Sequence, residues 1–455
     1  MEPPPAAPAY TAFQRVSRWS RWSDERLTRL GRLSLVLFIG ACIFTTDPSR
    51  TSANALVAIL SAIFLIAFLA SVHWRPRLRV HRELPVHASV GIPFAYRLHI
   101  SNDGTSTEAD LEVHDRLVRR FPSHAECAAL RPFVIAGDNW FDRRVGFRTW
   151  VRIVRLVRGG EIDPLLVPPI PRTGTTTVDL SFVPLRRGSV NFSSVEFARP
   201  DPFGLLNALR RISATQSLTV VPRQHPMPQL NIPDLGGQIP VLRQISGAAA
   251  GSQEFHALRE YRVGDPLRHV HWRVSAKRGI PVVKQFVDGH HRTFTLILDA
   301  YALALPFELL IEAAASVITA TNQQQARELN LIVVEPAFEP RAMLSAAGSA
   351  RHLLERLAHL APSTTDVFPA ASARIMLERQ AALVFLTTHW DPSREQFASQ
   401  IAACSSAALT LIVAEPEARD VRLPTVCWLD PADLSSALAQ VRFAQSNFHR
   451  ARAHG

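Results

Sequence analysis

Between Gly251 and Asp299 the chain is dense in Arg and His, with a Trp and a Gly-Asp-Pro turn among them. Arg259, Glu260 and Tyr261 precede a Gly264-Asp265-Pro266 turn, and Arg268, His269, His271, Trp272, Ser275 and Lys277 follow it. An Asp in such a turn accepts hydrogen bonds from the turn's own backbone and can pair with Arg259 or Arg268. Trp272 offers a flat face to a guanidinium. One reading is therefore a structural or interaction motif, a polar cluster that locks a loop in place through Arg259, Tyr261, Gly264, Asp265, Arg268, His271, Trp272, Ser275 and Lys277. The other is catalysis by Asp265, Arg268, His269 and His271 at a membrane surface. His269 and His271 alternate, so in a strand they would face one side as a metal pair, but no third ligand joins them at metal spacing. Ser275 with His271 makes a nucleophile–base pair on paper, outside any nucleophile-elbow context. The sequence has no P-loop, GxGxxG or HExxH motif. No catalytic residue is assigned.

The elements that must position this stretch lie on either side of it. A chain of 455 residues with 47% apolar content can bury two or three cores. Its net charge of +11 comes mostly from Arg, much of it flanking apolar runs, which points to an anionic membrane surface. The Arg residues are dispersed and follow no RNA-binding pattern, so no nucleic-acid partner is expected. The four cysteines, Cys42, Cys127, Cys404 and Cys427, are far apart, which fits a reducing compartment.

Residues 1–32 read as a basic, disordered, cytoplasmic N-terminus, Pro- and Ala-rich at its start. Residues 33–72 read as a transmembrane hairpin, with apolar runs Leu33–Phe44 and Ala55–Val72 around a polar break. The second run, about 18 residues, reaches roughly 27 Å as a helix, close to a bilayer core. The first spans only by borrowing residues at both ends. Both outer flanks are Arg-rich and the break holds only Arg50, so the positive-inside rule puts both flanks in the cytoplasm.

From 78 to 222, short segments of period two between Asn/Asp/Gly/Pro turns indicate an antiparallel β-sandwich. Phe94–Ile100, Ala109–Val113, Gly146–Val154, Thr176–Phe182 and Val190–Phe197 are its expected strands, and Asp201-Pro202-Phe203-Gly204-Leu205 is a turn with a buried aromatic anchor. Residues 223–252 are a linker or loop. From 293 to 447, continuous apolar strands alternate with helices, the pattern of a parallel sheet covered on both faces. Ligands in such folds bind beyond the carboxyl ends of the strands, where Asp299 sits.

The stretch EFHALREYRVGDPLRHVHWRVSAKRGIPVVKQF strongly resembles the signature of the DUF58 family, bacterial membrane proteins of unassigned biochemical function. Glu254, Phe255, Leu258, Arg259, Tyr261, Gly264, Asp265, Arg268, Trp272, Ser275, Ala276 and Lys277 carry it, and Arg186-Arg187-Gly188 with Asp201–Leu205 fits the same layout. The resemblance makes 253–292 the signature region and 293–447 a von Willebrand factor A-like (vWA/Rossmann-like) α/β domain. It also implies a bacterial inner-membrane location with two helices and cytoplasmic soluble domains. In that family the first strand of this domain commonly ends in a DxSxS-type metal-ion-dependent adhesion motif. Here Asp299 remains, but Tyr301 and Leu303 stand where hydroxyl ligands are expected, a degenerate position for Mg²⁺, which needs several oxygen ligands. The resemblance further implies a partner, a MoxR-type AAA+ ATPase. Two readings stay open: a membrane-anchored interaction or assembly protein, and a membrane-associated enzyme.

Overall fold

The computed structural model describes residues 7–44, 51–118, 120–123, 126–127, 147–228, 253–262, 265, 270–288, 293–302, 304–322, 328–336, 350–373, 375, 382–404, 407–414, 425–441 and 444–445. The chain forms two compact units, one from residues 1–224 with 354–361, the other from 225–353 with 362–455.

Helix α1 (Ala7–Arg26) opens the first unit, so the disorder expected across 1–32 is corrected from residue 7 onward. Tyr10 and Phe13, three residues apart, make a helical face that is buried with Trp150 at centroid distances of 5.7 and 5.1 Å. That packing supplies what the polar composition alone lacks. Helices α2 (Arg29–Phe44) and α3 (Thr51–His73) lie side by side, with the Phe38 and Phe64 rings 6.1 Å apart. Among the described residues only α3 is long and apolar enough to cross a membrane, over Asn54–His73. The 16 residues of α2 rise about 24 Å, short of a bilayer core of about 30 Å.

The unit continues through β1 (Leu78–Glu83), β2 (His87–Ser89), β3 (Phe94–Asn102), β4 (Leu111–Leu117), helix α4 (Phe147–Arg158), β5 (Leu165–Val167), β6 (Thr175–Phe182), β7 (Gly188–Pro200) and β8 (Asn207–Val221). The strands form sheets of order β1-β3-β6 and β2-β8-β7-β4-β5, antiparallel except for the β2–β8 pair. Inward residues of both sheets, among them Leu98, Phe182, Phe192 and Val195, share one core. The alternation along β6, exposed then buried, is what a sheet with one wet face requires. Inside this core Arg82 makes a bidentate pair with Asp115 (2.6 and 2.8 Å), and the Tyr96 hydroxyl donates to the same carboxylate at 2.7 Å.

Two expectations are corrected here. Gly146–Val154 is not a strand: Trp150, Ile153, Val154 and Val157 recur at helical spacing and form the buried face of α4. Phe203 is not the buried anchor of its turn; it is 46% exposed, and Leu205 is buried instead. The Asp201 carboxylate accepts from the amides of Phe203 (2.6 Å), Leu205 (2.9 Å) and Leu206, while Gly204 takes a φ of +64° that favours glycine. The turn is fastened to the α1–α2 corner. The Thr28 hydroxyl donates to the Gly204 carbonyl at 2.5 Å, and the Thr28 amide to the Leu205 carbonyl at 3.1 Å. A Cβ at Gly31 would collide with that Leu205 carbonyl oxygen.

The rest of the chain contributes β9 (Gln253–Glu260), α5 (Trp272–Arg278), β10 (Val282–Asp288), β11 (Thr293–Asp299), α6 (Ala304–Asn322), β12 (Glu328–Val334), α7 (Ala350–His359), α8 (Phe368–Ser372), β13 (Ala382–Thr387), α9 (Pro392–Cys404), β14 (Ala407–Val413), β15 (Val426–Leu429), α10 (Leu434–Ala439) and β16 (Ala444–Gln445). Strands β9 and β10 pair as an antiparallel ribbon. The main sheet runs β12-β11-β13-β14-β15, all parallel, with β16 antiparallel to β14. Every residue of β13 and β14 is buried, as strands covered on both faces must be. One layer is an aromatic trio, Phe368, Phe385 and Phe397, with centroids 5.2–5.3 Å apart. Each fully buried ring stabilises the unit by about 1.5–3 kcal/mol. The stretch expected as a linker is held at its start. The His225 amide donates to Ser316 Oγ and its Nε2 meets Glu312 Oε2, both at 2.8 Å.

Candidate functional site

In the order β12-β11-β13-β14-β15, the crossovers change direction between β11 and β13, the place where open α/β sheets bind ligands. The side chains there come from four separate segments. Asp299 ends β11, Thr387 ends β13, Asp366 precedes α8, and Asp391 precedes Pro392 at the start of α9, whose first turn carries Arg394. Asp391 followed by Pro392 is a favoured helix start, and the Asp391 carboxylate accepts the Arg394 amide at 2.9 Å.

Arg394 is fully buried and its guanidinium is the hub. Nε donates to Asp299 Oδ2 at 2.8 Å. Nη1 and Nη2 donate to the two Asp366 oxygens at 3.1 and 3.0 Å, and Nη1 also pairs with Asp391. The cation lies over the Phe368 ring at 4.8 Å and the Tyr301 ring at 5.7 Å. Asp299, 1% exposed, also accepts from the Thr387 hydroxyl at 3.0 Å and the Tyr301 amide at 3.1 Å. Burial pushes the Asp299 carboxyl up, and Arg394 with the other donors pulls against that rise. Burial works against the Arg394 charge, but its hydrogen bonds to Asp366 and Asp299 and their negative charge outweigh it and push its pKa further up. Asp366 is held below the usual carboxylate range: its burial is outweighed by Arg394 and the Phe368 amide.

The Mg²⁺ implied at Asp299 does not fit this arrangement. Both carboxylate oxygens already accept from protein donors, a guanidinium occupies the adjacent position, and Tyr301 turns its amide, not a ligand oxygen, toward Asp299. Leu303 lies outside the described residues. Among the described residues no group of three His, Cys, Asp or Glu is placed to hold a metal. Arg394 is the hub of this cluster that sequence reasoning missed. A lone Arg in the first turn of a helix, where the dipole disfavours a cation, was the one available signal.

In the signature region, Arg259 forms a bidentate pair with Asp265, both bonds 2.7 Å, and Asp265 also accepts the Arg262 amide at 2.8 Å. The guanidinium and that amide hold the Asp265 carboxyl down at about 2. Gly264, Arg268 and His269 lie outside the described residues. His271 begins α5: its Nδ1 accepts from the Val274 amide at 3.4 Å and its amide donates to the Val282 carbonyl at 2.8 Å. The Ser275 hydroxyl donates to the His271 carbonyl (3.1 Å) and accepts the Val282 amide (2.8 Å), stitching α5 to β10. The paper pairing of Ser275 as nucleophile with His271 as base is thus corrected, since the hydroxyl meets the His271 backbone and not its ring. Gly279, at φ +70°, caps α5 by donating its amide to the Ser275 carbonyl at 2.9 Å. Tyr261 is partly buried, with its amide on the Pro281 carbonyl, and Lys277 is exposed. Trp272, expected to stack on an Arg, is 68% exposed.

Ribbon and sheet together define a class: a parallel α/β unit with an arginine-bridged carboxylate cluster at its strand ends, preceded by a clamped β-ribbon. Residues 257–453 match the family described as "Protein of unknown function DUF58". Over 165 residues, 35% of this chain, the sequence is 26% identical to the Bacillus subtilis (strain 168) protein YeaD, and the match spans 39% of that protein's length. Among solved structures, the chain is similar to the CARDB domain of a Pyrococcus furiosus protein. The solution structure of that domain shows a TM-score of 0.17 at 11% identity, covering 32% of this chain and 94% of the domain. A PapD-like domain of human CEP192 gives 0.16 at 10%, covering 32% and 87%.

Proposed function

We propose that this chain is a membrane-anchored interaction or assembly protein of the bacterial inner membrane. In this reading α2 and α3 form a two-helix hairpin, both soluble units face the cytoplasm, and the parallel α/β unit is vWA-like. Its partner is a protein, with a MoxR-type AAA+ ATPase the one that the family resemblance suggests. The observation that carries the proposal is α3: an apolar segment with mean hydropathy 2.8, of which 6% is buried, needs apolar surroundings that water does not provide. Arg394 supports a presenting role for the strand ends, because four of the buried cation's five N–H groups donate to Asp299, Asp366 and Asp391. No specific observation favours the enzyme built on Asp265, Arg268, His269 and His271: Asp265 is clamped by Arg259, and His271 caps a helix. The test is carbonate extraction of membranes, followed by crosslinking in intact cells. The chain should resist extraction and crosslink to an AAA+ ATPase; release into the soluble fraction would sink the anchored reading.

A further inference from the structure

We propose that helix α1 is a membrane-surface element, lying along an anionic lipid headgroup layer with its tryptophans at the boundary. The inference rests on the membrane-anchored reading. Arg15, Trp19, Trp22 and Arg26 follow the spacing i, i+4, i+7, i+11, which places them in one stripe of the helix. All four are exposed, Trp19 at 69% and Trp22 at 55%. The opposite face is already used: Tyr10 and Phe13 are buried against Trp150 and Ile153 of α4, and the Tyr10 hydroxyl donates to the Pro122 carbonyl at 2.6 Å. The packing that holds the inner face therefore aims two indoles and two guanidiniums outward from a rigid mount.

Two large aromatic side chains one turn apart form a costly patch against water. At a lipid headgroup boundary the same indole has an apolar body in the acyl region and a polar N–H in the wet layer. Arg15 and Arg26, at the ends of the stripe, complement lipid phosphates. The chain path fixes the depth. Leu27 bridges to Leu206, α2 begins at Arg29, and the exposed Leu30, Leu33 and Val36 of α2 begin the apolar surface at once. The Asp201–Leu206 turn is fastened at that corner through Thr28, so the exposed Phe203 beside Gly204 sits at the same level. A protein partner is the competing occupant. Continuity with α2 and α3 and the basic stripe favour lipid.

The test uses the full chain with fluorotryptophan, in nanodiscs of phosphatidylcholine with or without phosphatidylglycerol. Trp19→Phe and Trp22→Phe assign the two resonances, and the buried Trp150 serves as a shielded baseline. A headgroup spin label should broaden Trp19 and Trp22 several-fold more than a water-soluble gadolinium chelate does. Arg15→Glu with Arg26→Glu should reduce that effect in the phosphatidylglycerol discs. Preferential broadening by the chelate overturns the inference, as does shielding from both agents, which marks a protein-covered face. Carbonate extraction of the same chain keeps the two readings apart. If the chain is extracted, the anchored reading fails; if it is retained with water-exposed Trp19 and Trp22, this inference alone fails.

Discussion

At the scale of single residues, Arg394 decides the character of the strand ends. A buried guanidinium facing three carboxylates is stable only while its partners remain, and the converse holds for Asp299, which is 1% exposed. Arg394→Met removes the hub and leaves Asp299 buried without its counter-ion, so the expected loss is about 3–5 kcal/mol. Adding Asp299→Asn removes the orphaned charge and should recover part of the loss, which a non-additive double-mutant cycle would register. Urea unfolding of the detergent-solubilised protein measures both. A single variant as stable as the parent chain would show that the network contributes nothing to the fold.

At the scale of elements, the chain leaving β9 is closed by a partly buried clamp between Arg259 and Asp265. The Asp265 carboxyl lies at about 2, below its ordinary value, so the folded state favours its charged form. The clamp's contribution is therefore full above the ordinary carboxylate range, near 4, and fades as pH falls from there toward about 2. Hydrogen exchange at the Arg262 and Tyr261 amides should speed up across that window, and Arg259→Met should give the same faster exchange at neutral pH. Unchanged exchange in the variant would remove the clamp from the account. The elements also show what a sequence exposes. The parallel strands were legible because β11, β13 and β14 are largely apolar runs in which threonine is the only polar residue before Asp299, a local pattern. Helix α4 was misread because Val151 and Ile153 around Arg152 mimic a short alternation; the i, i+3, i+4, i+7 set of Trp150, Ile153, Val154 and Val157 and the helical spacing of Arg148, Arg152, Arg155 and Arg158 separate the two periods. The Arg394 cluster was not legible at all. Its members lie at positions 299, 366, 387, 391 and 394, and only the sheet crossover brings them together.

At the scale of the whole molecule, the charge distribution makes the strongest demand. The basic residues are not spread evenly about the apolar helices: Arg15, Arg18, Arg21 and Arg26 precede them with Arg29 and Arg32 in the first turn of α2, Arg75, Arg77 and Arg79 follow, and Arg50 alone lies in the connection. If α2 and α3 both span, this bias holds both flanks on the side of low potential, and each basic residue near the surface adds about 1 kcal/mol of attraction to an anionic leaflet. If α3 alone spans, its two ends must lie on opposite sides, and one Arg-rich flank is exported against the bias. The length of α2, 16 residues, makes this a live alternative, and topology separates the two outcomes cleanly. A protease added to intact spheroplasts should leave tags at both ends of the chain uncut, and lysis should expose both. Cleavage of one tag in intact spheroplasts would establish a single span, and with it the loss of either α1 or the α/β unit from the cytoplasmic side.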